Sequence, residues 1–189
     1  MVLLMPKYIV LNKQEYIFKN FSLIPIRDID KFKIMNWRNE QLYHLRQKET
    51  LTKKDQINYF NNVISKLFID SKPSQILFSF LENDICVGYG GLVHINWHDK
   101  NAEISFLMNT SHEKLNFDKY WEIFLEMIED IAFNDLNFSK IYIYAFDLRP
   151  NLYKVLENKI FFMDARLEKH AYFNNKLIDV VIYSKLNKK

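Results

Sequence analysis

The sequence predicts a mixed α/β fold, a mostly antiparallel sheet of about seven strands flanked by about four helices. Three observations carry this reading. Gln75–Leu81, Ile85–Asn96 and Ala102–Met108 are strand-like and follow one another through connections of hairpin length. A strongly amphipathic stretch then separates Ala102–Met108 from the buried-type strand Lys140–Phe146, the arrangement of a helical crossover. Two further strands, Phe161–Tyr172 and Leu177–Lys185, close the chain around the turn residues Asn174 and Asn175.

The elements follow in order. Tyr8–Leu11 and Tyr16–Phe18 are short β-prone pieces around Asn12–Gln14, read as an N-terminal hairpin or extension over residues 1–21. Ser22–Ile26 alternates apolar and polar residues and reads as a strand. Asp28 offers a helix cap, with Ile29, Phe32, Met35 and Asn36 at helical spacing behind it. Thr52 is a second cap and Asp55 completes a capping box with Asp in place of Glu. Ile57, Phe60, Val63, Ile64 and Leu67 then mark one face of a helix to about Phe68, and Pro73 punctuates the loop after it. Phe117, Trp121, Phe124, Leu125, Ile128, Ile131 and Ala132 share the apolar face of the long helix. Pro150 suits a first helical turn, so Asn151–Asn158 reads as a short helix.

Composition excludes several classes. The 189 residues suit one domain spanning the chain, 49% are hydrophobic and 26% charged, and the formal net charge of +3 is too small to argue for nucleic acid. One cysteine excludes an internal disulfide framework and a Cys-based zinc site, which fits a reducing, cytoplasmic setting. Cys86 itself reads as a small buried residue. No apolar run approaches the ~20 residues of a membrane span, and no membrane partner is expected. Met1–Met5 is apolar, but Lys7 follows too soon for a signal peptide. Metal-ligand spacing, a Walker loop and a Rossmann glycine pattern are all missing, so no metal site is expected.

Four stretches, in this order and spacing, resemble one family. Trp37-Arg38-Asn39 ends the first helix with Arg46 shortly after; Val87-Gly88-Tyr89-Gly90-Gly91-Leu92 fills one strand; Asn101–Met108 fills the next; Asn174–Tyr183 forms a terminal hairpin. Together, over roughly Ser22 to Leu186, they resemble the GNAT superfamily of acyl-CoA N-acyltransferases. The resemblance lies nearest to the ribosomal-protein N-terminal alanine acetyltransferases and the amino-sugar acetyltransferases of surface-polysaccharide pathways. The Trp-Arg-Asn element tilts it toward the sugar branch. The sequence departs at the family's coenzyme A loop. Glu113, Asn116 and Asp118 stand where that pattern has a basic residue and two glycines. A carboxylate there competes with a phosphate, while Lys114, Lys119 and a left-handed Asn116 would offset part of the change.

The resemblance implies attack of a neutral amine on the thioester of acetyl-CoA, with a base, an oxyanion donor and a thiolate acid. Glu103 is the candidate base and His94 the runner-up, with His170 weaker. Alternation places Glu103 on one face with Ser105 and Leu107. Phe106, Leu107 and Met108 would flank the acyl arm near a splay point expected at Leu107–Met108, a backbone N–H there serving the oxyanion. Tyr153 is the candidate acid and Asn151 the candidate contact to the cofactor arm, or a helix cap. Trp37, Arg38, Asn39 and Arg46 would hold the acceptor: arginine suits a diphosphate and tryptophan a sugar or base face. Equally, Trp37 would be core, Arg38 paired and Asn39 a helix end. The expected acceptor is a small amine, an amino sugar linked to a nucleotide. The alternatives are a protein N-terminus and a binding module that has lost the cofactor. The hairpin around Trp97, with Tyr89, is either part of the cleft or a surface for a homodimer.

Overall fold

The computed structural model describes residues 6–188; Met1–Met5, the apolar start discussed above, and Lys189 lie outside them. Eight strands form one sheet in the order β1-β2-β3-β4-β5-β6-β8-β7. They are β1 (Tyr16–Phe18), β2 (Phe21–Pro25), β3 (Ile76–Glu82), β4 (Ile85–Asn96), β5 (Asn101–Met108), β6 (Lys140–Phe146), β7 (Phe162–Phe173) and β8 (Lys176–Leu186). Only β5 and β6 pair in parallel, as the helical crossover between them requires. The hairpin turns carry left-handed Asn83, Asp84, Asn174 and Asn175, residue types that adopt that conformation at low cost.

The helices are α1 (Lys31–Glu40), α2 (Lys53–Tyr59), α3 (Ser65–Leu67), α4 (Thr110–Leu115), α5 (Phe117–Asp130) and α6 (Pro150–Asn158). A π-turn at Phe60–Ile64 joins α2 to α3. Thr52 and Asp55 form the expected capping box. Two expectations are corrected. The N-terminal hairpin is β1 with β2, turned at left-handed Lys19, and not Tyr8–Leu11 with Tyr16–Phe18. Tyr8 is instead fully buried, its hydroxyl donating to Leu77 O and accepting from Leu77 N. Asp28 does not cap α1; it lies in a 3-10 turn, and α1 buries Ile34, Met35 and Trp37 while Ile29 is exposed. The stretch before α5 forms the short helix α4.

Aromatic packing sets the two faces of the sheet. Phe106 of β5 stacks on Phe124 of α5 at 4.0 Å, and Phe80 of β3 meets Phe124 edge-on at 5.9 Å. A side chain at Gly90 of β4 would fall 2.9 Å from the Phe124 ring and 2.9 Å from Phe106 Cα, and closer still to Ser105 O. Gly90→Ala is therefore expected to cost about 1–3 kcal/mol by overpacking. A denaturant midpoint equal to that of the parent would show that the sheet and α5 separate freely there.

The opposite face of β5 carries Glu103. The parallel ladder runs from Asn101 and Lys140 to Glu103 and Tyr142 and then stops, while β6 continues to pair with β8 as far as Phe146. The two strands splay from Glu103 onward, about a strand turn earlier than the expected point at Leu107–Met108.

Candidate active site

Two cavities meet at this splay. One, of about 540 Å³, lies between the strands and is lined by Ile104–Phe106, Ile143–Phe146, Trp121, Arg149 and Leu152. The other, of about 500 Å³, lies under α1 and α2 and is lined by Gln56, Tyr59, Ser74, Gln75 and Tyr89, among others. Arg38, Arg46, His94 and Ser105 line both, so the two spaces communicate beside Glu103.

Glu103 is 4% exposed. Its Oε1 accepts from Arg46 Nη2, and its Oε2 lies 3.8 Å from His94 Nε2. Burial pushes the Glu103 carboxyl above its ordinary range; Arg46 and His94 pull it part of the way back. His94 reaches this place through a β-bulge. Between Val93 and Asn96 β4 has one residue more than the facing segment of β5, and His94 takes up the excess with φ 49°. Strict alternation would have sent its ring to the α5 face. The bulge turns it to the Glu103 face. The Arg46 guanidinium also lies 5.0 Å over the Tyr144 ring, so this one side chain bridges β5 and β6 across the splay.

The acceptor residues named from sequence separate in the structure. Trp37 is 8% exposed and belongs to the hydrophobic core, so neither face of its ring is offered to a sugar. Arg38 lines the cleft, but its Nη1 donates to Tyr89 OH at 2.6 Å and its Nε to Gln47 Oε1 at 2.7 Å. The side chain of Asn39 exchanges two hydrogen bonds with the backbone of Leu51, at 2.9 and 2.8 Å, and pins the loop after α1. Arg46 is engaged by Glu103. The pair of free arginines a diphosphate would need is not present in this arrangement. Trp97 is half-buried, its Nε1 bonded to Pro73 O and its ring on Phe138 at 5.3 Å, and it lines neither cavity.

The residues named for catalysis and the acyl arm divide likewise. Phe106 lines the slot between the strands; Leu107 and Met108 are buried and do not, and Met108 O accepts from Gln41 Nε2 at 2.8 Å. The open strand edge belongs to Ile104–Phe106 instead. Tyr153 lies outside the lining of both cavities. Its hydroxyl donates to Asp147 and its ring stacks on Tyr183 at 5.5 Å. Burial and the Asp147 carboxylate both raise its pKa, which opposes ionisation. Asn151 is exposed at the second position of α6, whose cap is Arg149, so it is not the cap. Lys114 is exposed, and Lys119 pairs with Glu82 at 3.3 Å. Asn116 has φ −137° and makes no left-handed turn. His170 stands edge-on to Tyr144, 6.3 Å between ring centres.

Sequence reasoning passed over Arg149. Its Nη2 donates to Glu113 Oε1 at 2.7 Å, and its guanidinium carbon lies 4.9 Å from the Phe117 ring centre and 5.8 Å from that of Trp121. Arg149 Nε and Trp121 Nε1 are buried donors with no hydrogen-bond partner among the described residues, and both residues line the slot. Unspent donors in a buried cleft call for an acceptor from a ligand. Open strand edges, aliphatic walls and the Trp121 Nε1 donor fit the pantetheine arm of a coenzyme A thioester. The two positions where the family pattern has glycines are Asn116, between α4 and α5, and Asp118, in the first turn of α5. Among the described residues no group of acids, histidines and cysteines could hold a metal. No helix among them is long and apolar enough to cross a membrane.

Comparisons with known proteins find the same fold. A spermidine N-acetyltransferase from Vibrio cholerae, solved with CoA and spermine, superposes with a TM-score of 0.80 at 18% identity, over 91% of this chain and 98% of that one. A dodecameric form of spermidine N-acetyltransferase from the same organism, in an intermediate state, gives a TM-score of 0.74 at 18% identity, over 91% and 96%. No curated protein matches the sequence. The sequence family described as the acetyltransferase (GNAT) domain matches residues 23–182. The chain belongs to this GNAT family, N-acetyltransferases that move an acetyl group from acetyl-CoA to an amine.

Proposed function

We propose that the chain acetylates the primary amine of a small hydroxyl-bearing acceptor of the amino-sugar class, bound in the cavity under α1 and α2. The observation that carries this reading is the lining. Gln56, Tyr59, Ser74, Gln75 and Ser105 present hydroxyl and amide groups, and the charged groups Arg38, Arg46 and Asp55 are already partnered. Such a wall suits hydroxyls better than a long polycation, which needs several free carboxylates. The busy arginines also argue for the sugar itself over a nucleotide-linked form.

Acetyl-CoA supplies an activated thioester carbonyl in the slot between β5 and β6. Glu103 takes the proton that the incoming ammonium must lose, at the point where the two cavities join. The ammonium replaces Arg46 as the counter-ion of that carboxylate. His94, 64% exposed, passes the proton outward to solvent. The backbone edge of Ile104–Phe106 offers N–H groups to the developing oxyanion. Tyr153 takes no part in this scheme, and the departing thiolate is protonated from solvent.

The second reading is a polyamine acceptor, favoured by the spermidine N-acetyltransferases that share the fold. A thiol-release assay separates them, using acetyl-CoA with an amino sugar, its nucleotide-linked form, spermidine and a peptide bearing N-terminal alanine. The free amino sugar is expected to give the highest kcat/KM. A higher value for spermidine would overturn the proposed acceptor in favour of the polyamine.

A further inference from the structure

We infer that Arg149 is the anion-binding side chain of the slot, taking the diphosphate of the acyl donor, and that Glu113 occupies its place as an internal competitor until the donor binds. The inference rests on the acetyl-CoA reading above and adds how this chain holds the donor without a glycine loop.

Arg149 has five N–H donors and uses few of them within the protein. One goes to Glu113, and Nε has none. Nη1 lies 3.4 Å from His44 Nδ1. Gln41 Nε2 is spent on Met108 O and Thr110 Oγ1, so Gln41 Oε1 accepts from His44 Nε2–H at 3.3 Å. That assignment leaves Nδ1 as an acceptor for Arg149. Burial, and next the Arg149 charge, lower the His44 pKa to about 3, so the ring stays neutral and adds no second cation. The guanidinium is thus held in plane between His44 and two aromatic walls, with a single carboxylate against it.

That carboxylate sits on an element that can leave. α4 has six residues, of which only the Glu113 carboxylate is well shielded; it is tied down by Glu113 to Arg149, by Thr110 to Glu40 and Gln41, and by the His112 ring stacked on Tyr120. The Glu113 carboxyl is raised by its burial and the Arg149 guanidinium lowered by its own, so both members of the pair are poorly solvated. A diphosphate brings more charge and more acceptor oxygens to the same guanidinium than Glu113 does, and forks onto it in bidentate fashion. Displacing Glu113 exposes little apolar surface, because Leu115, the aliphatic side chain of α4, is already exposed.

The test is calorimetric titration of the full chain and of its Arg149→Gln and Glu113→Gln variants with CoA and with pantetheine, which lacks the phosphates. Arg149→Gln is expected to weaken CoA about 10- to 100-fold and to leave pantetheine within about twofold. Glu113→Gln is expected to tighten CoA about tenfold, by removing the competitor, with pantetheine unchanged. Equal CoA affinity in Arg149→Gln, or a parallel loss of CoA and pantetheine, would overturn the assignment and leave acetyl transfer standing. Should Arg149→Gln not fold, Glu113→Gln decides: tighter CoA supports the assignment, and equal or weaker CoA overturns it. No CoA binding by any folded form would overturn both the assignment and the acetyl-CoA reading.

Discussion

Replacing Glu103 with Gln is expected to lower kcat by about 10²- to 10⁴-fold at neutral pH, the usual worth of a positioned general base. The change is nearly isosteric and keeps an acceptor for Arg46, so the fold should survive it. The pH profile separates catalysis from packing. Burial raises the Glu103 pKa, so in the parent enzyme the base form is lost as pH falls through a value above the ordinary carboxylate range. The acid limb of kcat/KM should therefore lie higher than for a solvated glutamate. In the variant that limb should vanish. Its activity should climb with pH as the free amine accumulates in solution, so the deficit narrows at high pH. A variant with a constant deficit at all pH values would show that Glu103 serves structure and not proton transfer.

Trp37→Ala carries the second large effect, and it concerns stability. A buried tryptophan removed from a core costs about 3–5 kcal/mol, through lost transfer energy and the cavity left behind. For a domain of this size that lowers Tm by roughly 6–20 °C. Below the new midpoint, acceptor KM should stay within about twofold of the parent, because the ring is packed in the core. Trp37→Phe should recover much of the Tm. A raised acceptor KM with an unchanged Tm would restore the stacking role that the Trp-Arg-Asn element suggests in sequence.

The contrast at Trp37 shows where sequence reading reaches its limit. Tryptophan, arginine and asparagine in succession are compatible with a site, and helical spacing alone does not say which face meets the sheet. In the fold the three residues diverge: Trp37 into the core, Arg38 onto Tyr89, Asn39 onto Leu51. Glu103 was singled out through the resemblance carried by the Asn101–Met108 stretch. That Arg46 and His94 meet it was not legible. Arg46 is 57 residues away in sequence, and His94 depends on a bulge whose extra residue leaves no composition signal. The loss of glycines at 116 and 118 was visible, but not its structural counterpart, because Arg149 lies 36 residues beyond Glu113.

By itself the sequence determined the order of the strands from β2 onward and of the helices other than α4, the helical crossover and the turn at Asn174–Asn175. These rest on periodicity and on local backbone preference, which neighbouring residues settle among themselves. Only the tertiary structure decided where β5 and β6 part, which face His94 takes, and which charges meet: Glu103 with Arg46, and Glu113 with Arg149. Those outcomes depend on burial and on contacts between distant segments. The energy of a buried charge is set by whatever the rest of the chain brings beside it.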